Sequence, residues 1–161
     1  MQEQSLKNQF FSLAVIVAAL GYFVDIYDLL LFTIVREPSL LGIHVADTDM
    51  LTVSTKIINW QMMGLLIGGI VWGIMGDTKG RRSILFGSIL LYSLANIANA
   101  FVSNVHQYEW IRLFAGLGLA GELGAAITLV NEIMQKEKRG YGTMVIVTMG
   151  ALGAEIGRAH V

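Results

Sequence analysis

Long stretches free of Asp, Glu, Lys and Arg alternate with short polar ones along this chain. Residues 57–76 form one such stretch, twenty residues long, and residues 83–108 form another directly behind a basic turn. At about 1.5 Å rise per residue, twenty helical residues span roughly 30 Å, the hydrocarbon thickness of a bilayer. Extending the same reading predicts helices over 10–35, 57–76, 83–102 and 110–134, and a shorter one over 141–154. The last has fourteen residues, below the roughly 17–25 that a crossing needs, so it reads as cut short. The fold class expected is all-α and polytopic, with four to five transmembrane helices.

Composition agrees. Of 161 residues, 55% are hydrophobic and 14% charged, against about 25% charged in soluble domains. The mean hydropathy is +0.63. A net charge of −1 gives no reason to expect a nucleic-acid partner. With no cysteine, disulfides, thiolate nucleophiles and cysteine metal sites are excluded. Lys7 ahead of an apolar run resembles a secretory leader, but hydrophobicity resumes after Asp25 and Asp28 and no small-x-small site closes it.

Loop charges set the expected orientation. The turn after the second span holds Lys79, Arg81 and Arg82, and the loop after the fourth holds Lys136, Lys138 and Arg139. Residues 103–109 contain no Lys or Arg, while Arg36 and Lys56 at the edges of the first loop are offset by Glu37, Asp47 and Asp49. The positive-inside bias then puts the N-terminus and both basic loops in the cytoplasm of a cell lying behind its inner or plasma membrane.

The C-terminus changes character. Residues 156–161 can be written ATC-GGA-AGA-GCA-CAC-GTC, a reading frame of a widely used sequencing adapter. The expectation is that residues 156–161 are a non-native tail, that the natural sequence departs near residue 155, and that the C-terminal half of the protein is missing.

Charges inside the spans are the candidate chemistry. Asp25 and Asp28 are three residues apart on one helical face, with Tyr22 three residues before Asp25. A carboxylate at mid-bilayer costs about 2.5–3.5 kcal/mol on insertion scales, so such a pair calls for a polar cavity or for partners. Proton coupling or substrate orientation would need such groups; the alternative is a shorter span with both aspartates in water at its outer end. In the fourth span, Arg112 heads a stripe with Gly116, Ala120 and Gly124. It either faces the interior, balancing an aspartate or an anionic substrate, or snorkels outward. Glu122, ten residues beyond Arg112 in that span, falls near mid-membrane.

Glycines are plentiful, at 18. Gly64, Gly68 and Gly76 share one stripe of the second span, and Gly69 and Gly73 another. Gly116, Gly118 and Gly121 satisfy Gly-x-Gly-x-x-Gly, but with no strand and no βαβ unit around them they read as helix packing. His44 and His106 fall in loops, and His160 in the tail. No nucleophile, metal cluster or cofactor motif is present, which argues against an enzyme. Rings of one charge, the mark of a channel, are also missing.

The turn Gly73-Ile74-Met75-Gly76-Asp77-Thr78-Lys79-Gly80-Arg81-Arg82 resembles the loop between the second and third helices of the major facilitator superfamily. The run from Arg112 to Glu122 resembles its fourth-helix pattern, and the run from Glu132 to Gly140 the loop that follows. Asp25 and Asp28 are similar to the acid-x-x-acid pair of its carboxylate carriers. Thr78, Gly124 and Gln135 depart from the usual pattern. The resemblance implies twelve helices rocking about a central site by alternating access. It further implies a cytoplasmic gate built from Gly73, Asp77, Gly80, Arg81, Arg82, Glu132 and Arg139, and a substrate and proton pathway flanked by Tyr22, Asp25, Asp28, Arg112 and Glu122. The activity it implies is proton-coupled symport of a small organic anion, with a sugar or polyol porter as the alternative.

Overall fold

The computed structural model describes residues 13–134, 136 and 139–159. Among the described residues five helices follow one another: α1 Leu13–Gly42, α2 Met50–Lys79, α3 Arg81–Asn99, α4 Val105–Ile133 and α5 Arg139–Arg158. The stretches Ala18–Gly42, Met50–Lys79 and Val105–Thr128 are long and apolar enough to cross a membrane, and Ser83–Asn99 is a shorter apolar helix. With no strand among the described residues, the protein is an all-α polytopic membrane chain.

Each helix differs at its ends from the charge-free run that predicts it. Such a run measures the hydrocarbon, whereas helices project beyond it into water. Helix α1 continues through Arg36, Glu37 and Pro38. It closes where Val45 N–H donates to Leu40 O (3.1 Å) and His44 N–H to Leu41 O (3.0 Å). His44 has φ 63°, the left-handed residue of a Schellman cap, a place glycine usually takes. At the head of α4, Asn104 Oδ1 accepts from Gln107 N–H (2.9 Å), while Gln107 Oε1 accepts from Ser103 N–H (3.1 Å). That reciprocal cap starts the helix at Val105, so His106 is helical and not in a loop. Helix α5 is twenty residues long, not fourteen, and it runs past Glu155 to Arg158 where the sequence predicts a break.

The chain divides into two compact units. One comprises residues 1–31 and 125–161. Within it, α5 buries Gly142, Ile146, Gly150, Gly153 and Gly157 along one face. A Cβ at Gly150 would strike the Tyr22 ring, one at Gly153 the Phe23 carbonyl, and one at Gly157 would lie 2.9 Å from Leu30 Cβ. Small residues thus let α5 and the first part of α1 meet closely.

The other unit, Phe32–Gly124, holds the end of α1, all of α2 and α3, and most of α4. Helix α2 buries Ser54, Ile57, Gln61, Gly64, Gly68 and Gly76. It turns Met62, Met63, Leu66, Ile67, Ile70 and Ile74 outward. Small and polar side chains inside with large apolar ones outside is the pattern suited to a lipid surround, where helices gain from close packing and not from hiding hydrocarbon. At the start of α2, Phe32, Leu40, Ile57 and Tyr108 form a buried apolar cluster, with Val45 and Val53 packed against it.

Candidate functional site

Close backbone approach fixes α4 in its unit. A Cβ at Gly64 would collide with Leu113 O, and one at Gly116 with Gln61 O. At Gly68 it would meet the Leu117 backbone, at Gly118 Tyr92 N (2.7 Å), and at Gly121 both Trp72 and Ser88. Trp72 Nε1 donates to Leu117 O at 2.7 Å, pinning α2 to α4 by a hydrogen bond as well. Gly69, Gly73 and Gly124 have nothing within 4 Å of a Cβ, so the Gly69–Gly73 stripe and the Gly124 end of the Arg112 stripe are not packing faces here.

Arg112 is carried on this rigid support. It is 5% exposed, and its guanidinium lies 3.5 Å from the centroid of the Phe32 ring and 5.7 Å from that of Tyr108. A planar cation over an aromatic face is favoured, more so where water is excluded. This buried placement is opposed to snorkelling. Glu122 is also buried. It stands seventeen residues into α4, because the helix begins at Val105, five residues before the predicted span. Arg112 and Glu122 are separated by about 15 Å along the helix axis, too far to pair with each other.

In the other unit, Asp25 is 3% exposed, with Tyr22 and Asp28 half-buried. Asp25 is twelve residues, and Asp28 fifteen, from the start of the thirty-residue α1. These are about 18 and 22 Å along its axis. Both lie well before Gly42, where α1 closes.

The basic turn is a single residue. Gly80, at φ 84° and ψ 147°, separates the last residue of α2 from the first of α3. Glycine reaches that conformation without a Cβ penalty. Arg81 Nη2 meets Asp77 Oδ1 at 2.9 Å, and the Arg81 guanidinium crosses Gly76, whose Cβ would fall 2.6 Å from Nη1. Arg139 Nε donates to Met134 O at 3.4 Å in the other unit. The side chains of Arg82 and Glu132 lie outside the described residues.

One polar cluster escapes a reading based on uncharged runs. Lys56 Nζ on α2 is 2.8 Å from Glu109 Oε1 on α4, and His106 Nδ1 is 3.4 Å from Glu109 Oε2. Glu109 is only 2% exposed. The signal that could have found it is the spacing of His106, Glu109 and Arg112, each three residues on, which places them along one face once the helix starts at Val105. Among the described residues, no group of three or more acidic or histidine side chains is placed to hold a metal ion.

Comparison with known proteins matches residues 14–159 to the model of a family described as sugar (and other) transporter. A Bacillus subtilis (strain 168) protein named as a candidate niacin/nicotinamide transporter is 28% identical over 137 residues, covering 85% of this chain and 33% of that protein. The niacin transporter NiaP of Acinetobacter baylyi is 33% identical over 97 residues, 60% of this chain and 22% of its own length. Inorganic phosphate transporter 1-1 of Oryza sativa subsp. japonica is 26% identical over 169 residues, 96% of this chain and 32% of that protein. The chain thus spans about a third or less of these relatives. No solved structure matches it. With the match extending over nearly its whole length, the chain belongs to the sugar (and other) transporter family of the major facilitator superfamily, a family of multi-pass membrane carriers and not of enzymes.

Proposed function

We propose that this chain is part of a proton-coupled symporter of small organic anions that works by alternating access. The observation that carries the reading is Arg112, a permanently charged group buried against Phe32 in an apolar helix. A permanently charged guanidinium in an apolar surround is the kind of group that orients an anionic substrate, since its planar fork matches carboxylate and phosphate oxygens. Relatives named for niacin and for inorganic phosphate agree with it, since both compounds are anions at neutral pH. Asp25, buried on α1, is the candidate proton carrier, with Asp28 and Tyr22 on the same face and Glu122 as a second buried acid.

In this reading the remaining helices come from a further C-terminal portion of the same protein. The protein lies in the inner or plasma membrane, with its N-terminus and the Gly80 turn in the cytoplasm. Asp77, Gly80, Arg81 and Arg82, with Gly73, Glu132 and Arg139, form the cytoplasmic gate. A sugar or polyol porter is the second reading, favoured by the name of the matching family.

The test is uptake into proteoliposomes by the complete transporter, with nicotinate, phosphate, glucose and a polyol as substrates and an imposed pH gradient. Anion uptake driven by inward proton flow, abolished in Arg112→Met and uncoupled from the gradient in Asp25→Asn, is the expected result. Uptake of a neutral sugar alone would establish the second reading. Coupling intact in Asp25→Asn would remove that residue from the proton path.

A further inference from the structure

The end of α2 and α4 remote from Gly80 carries a chain of four polar side chains. Trp110 Nε1 donates to His106 Nε2 at 3.3 Å. His106 Nδ1 faces Glu109 Oε2 at 3.4 Å, and Glu109 Oε1 holds Lys56 Nζ at 2.8 Å. Trp110 also reaches α2 through Trp60, with ring centroids 5.0 Å apart. The chain therefore fastens the two helices twice, once by an ion pair and once by an aromatic pair.

Its donor and acceptor pattern fixes the state of the imidazole. An indole N–H can only donate, so His106 Nε2 is the acceptor and the ring proton sits on Nδ1, towards Glu109. A second proton, added at Nε2, removes that acceptor and ends the bond from Trp110. The resulting imidazolium then shares one carboxylate with the Lys56 ammonium. Lys56 is 58% exposed, whereas Glu109 is 2% exposed. Of the two cations, the lysine can leave for water at small cost, while the imidazolium stays beside Glu109 on its own helix. An ion pair between helices is exchanged for one within α4.

Water has a way in. His106 is 76% exposed and lines an open groove with Ala98, Phe101, Gln107, Trp110 and Ile111. The ionisable groups facing it are Glu109 from α4 and Lys56 from α2. The groove residues contributed by α3 and the turn behind it, Ala98 and Phe101, carry no charge, and Arg112 lies a turn further along α4, over Phe32. Imidazole is the side chain whose ordinary titration falls between about pH 5 and 8.

We propose that Trp110, His106, Glu109 and Lys56 form a proton-operated latch, in which protonation of His106 at Nε2 releases Trp110 and displaces Lys56, unfastening α2 from α4 at this end. The side of the membrane whose pH it senses rests on the orientation proposed above, which would make it the outer one.

The chain in detergent micelles, where both ends meet the same pH, tests the latch separately from orientation and transport. Its three tryptophans give three indole ¹⁵N–¹H resonances. Between pH 8 and pH 5 the Trp110 resonance should shift while that of Trp72, bonded to Leu117 O, stays fixed. The shift should vanish in His106→Phe. Because the chain has no cysteine, spin labels at Leu51→Cys and Phe114→Cys report the separation of α2 and α4. Their distance should lengthen and broaden at pH 5, remain constant in His106→Phe, and be lengthened already at pH 8 in Lys56→Met or, where that variant folds poorly, in Glu109→Gln. A Trp110 resonance indifferent to pH, a shift that persists in His106→Phe, or a label distance unchanged between the two pH values would each overturn the latch.

Discussion

Two ion pairs sit at opposite ends of α2 and have little in common beyond their length. Asp77 and Arg81 are four residues apart in sequence and 2.9 Å apart in space, with the aspartate 73% exposed. Lys56 and Glu109 are 2.8 Å apart but belong to different helices, and the glutamate is almost wholly buried. The first bridges a turn already closed by the chain itself. The second joins helices that the chain connects only through α3. An exposed pair within one turn adds a few tenths of a kcal/mol at best, whereas a buried carboxylate that loses its cation is left with an uncompensated charge. What a pair does for the fold is decided by what it connects and what it excludes from water.

The largest effect should come from the contacts that let α2 and α4 approach at all. Gly64→Val drives a side chain into the Leu113 carbonyl, and overpacking of that kind costs about 1–3 kcal/mol or more. Thermal unfolding in detergent should show a large fall in Tm or no folded protein. Gly69→Ala on the same helix meets open space and should leave Tm unchanged or slightly raised. Equal losses from both would mean that the α2–α4 contact does not hold the unit together.

Next come the two halves of the Lys56–Glu109 pair, which should not be equivalent because only the glutamate is buried. Lys56→Met leaves the buried Glu109 carboxylate with the His106 ring but no cation and should cost about 2–3 kcal/mol. Glu109→Gln leaves Lys56 free to turn to water and should cost about 1 kcal/mol. Denaturant titration of both variants gives the order, and a reversed order would show that burial of Glu109 is not what sets it. The smallest change in stability, under about 0.5 kcal/mol, is expected for Asp77→Asn. The gate proposed around that aspartate would instead show in transport by the complete protein.

The helices were legible because a twenty-residue run without charge has few other uses. Their ends were not. The caps at His44 and Asn104 depend on a left-handed residue without glycine and on an amide pair inside a polar stretch, and neither alters hydropathy. The same gap hid the Lys56–Glu109 pair, because both residues lie outside the apolar runs although both are helical. Spacing put Gly64 and Gly69 forward equally, and only the position of α4 separates them. Arg112 drew notice as a charge in an apolar helix. Its seat on Phe32, eighty residues earlier, depends on tertiary placement that no local pattern carries.

The single-residue break at Gly80 has a consequence for how the protein is made. Helices α2 and α3 leave the ribosome with no slack between them, so neither can settle in the bilayer and wait for the other. They should enter as one hairpin, and in the orientation proposed above the basic side chains at its tip would make that tip the part that resists being carried across. A few inserted residues at Gly80 would let the two helices integrate separately, leaving the first exposed to lipid and to quality control before its neighbour arrives.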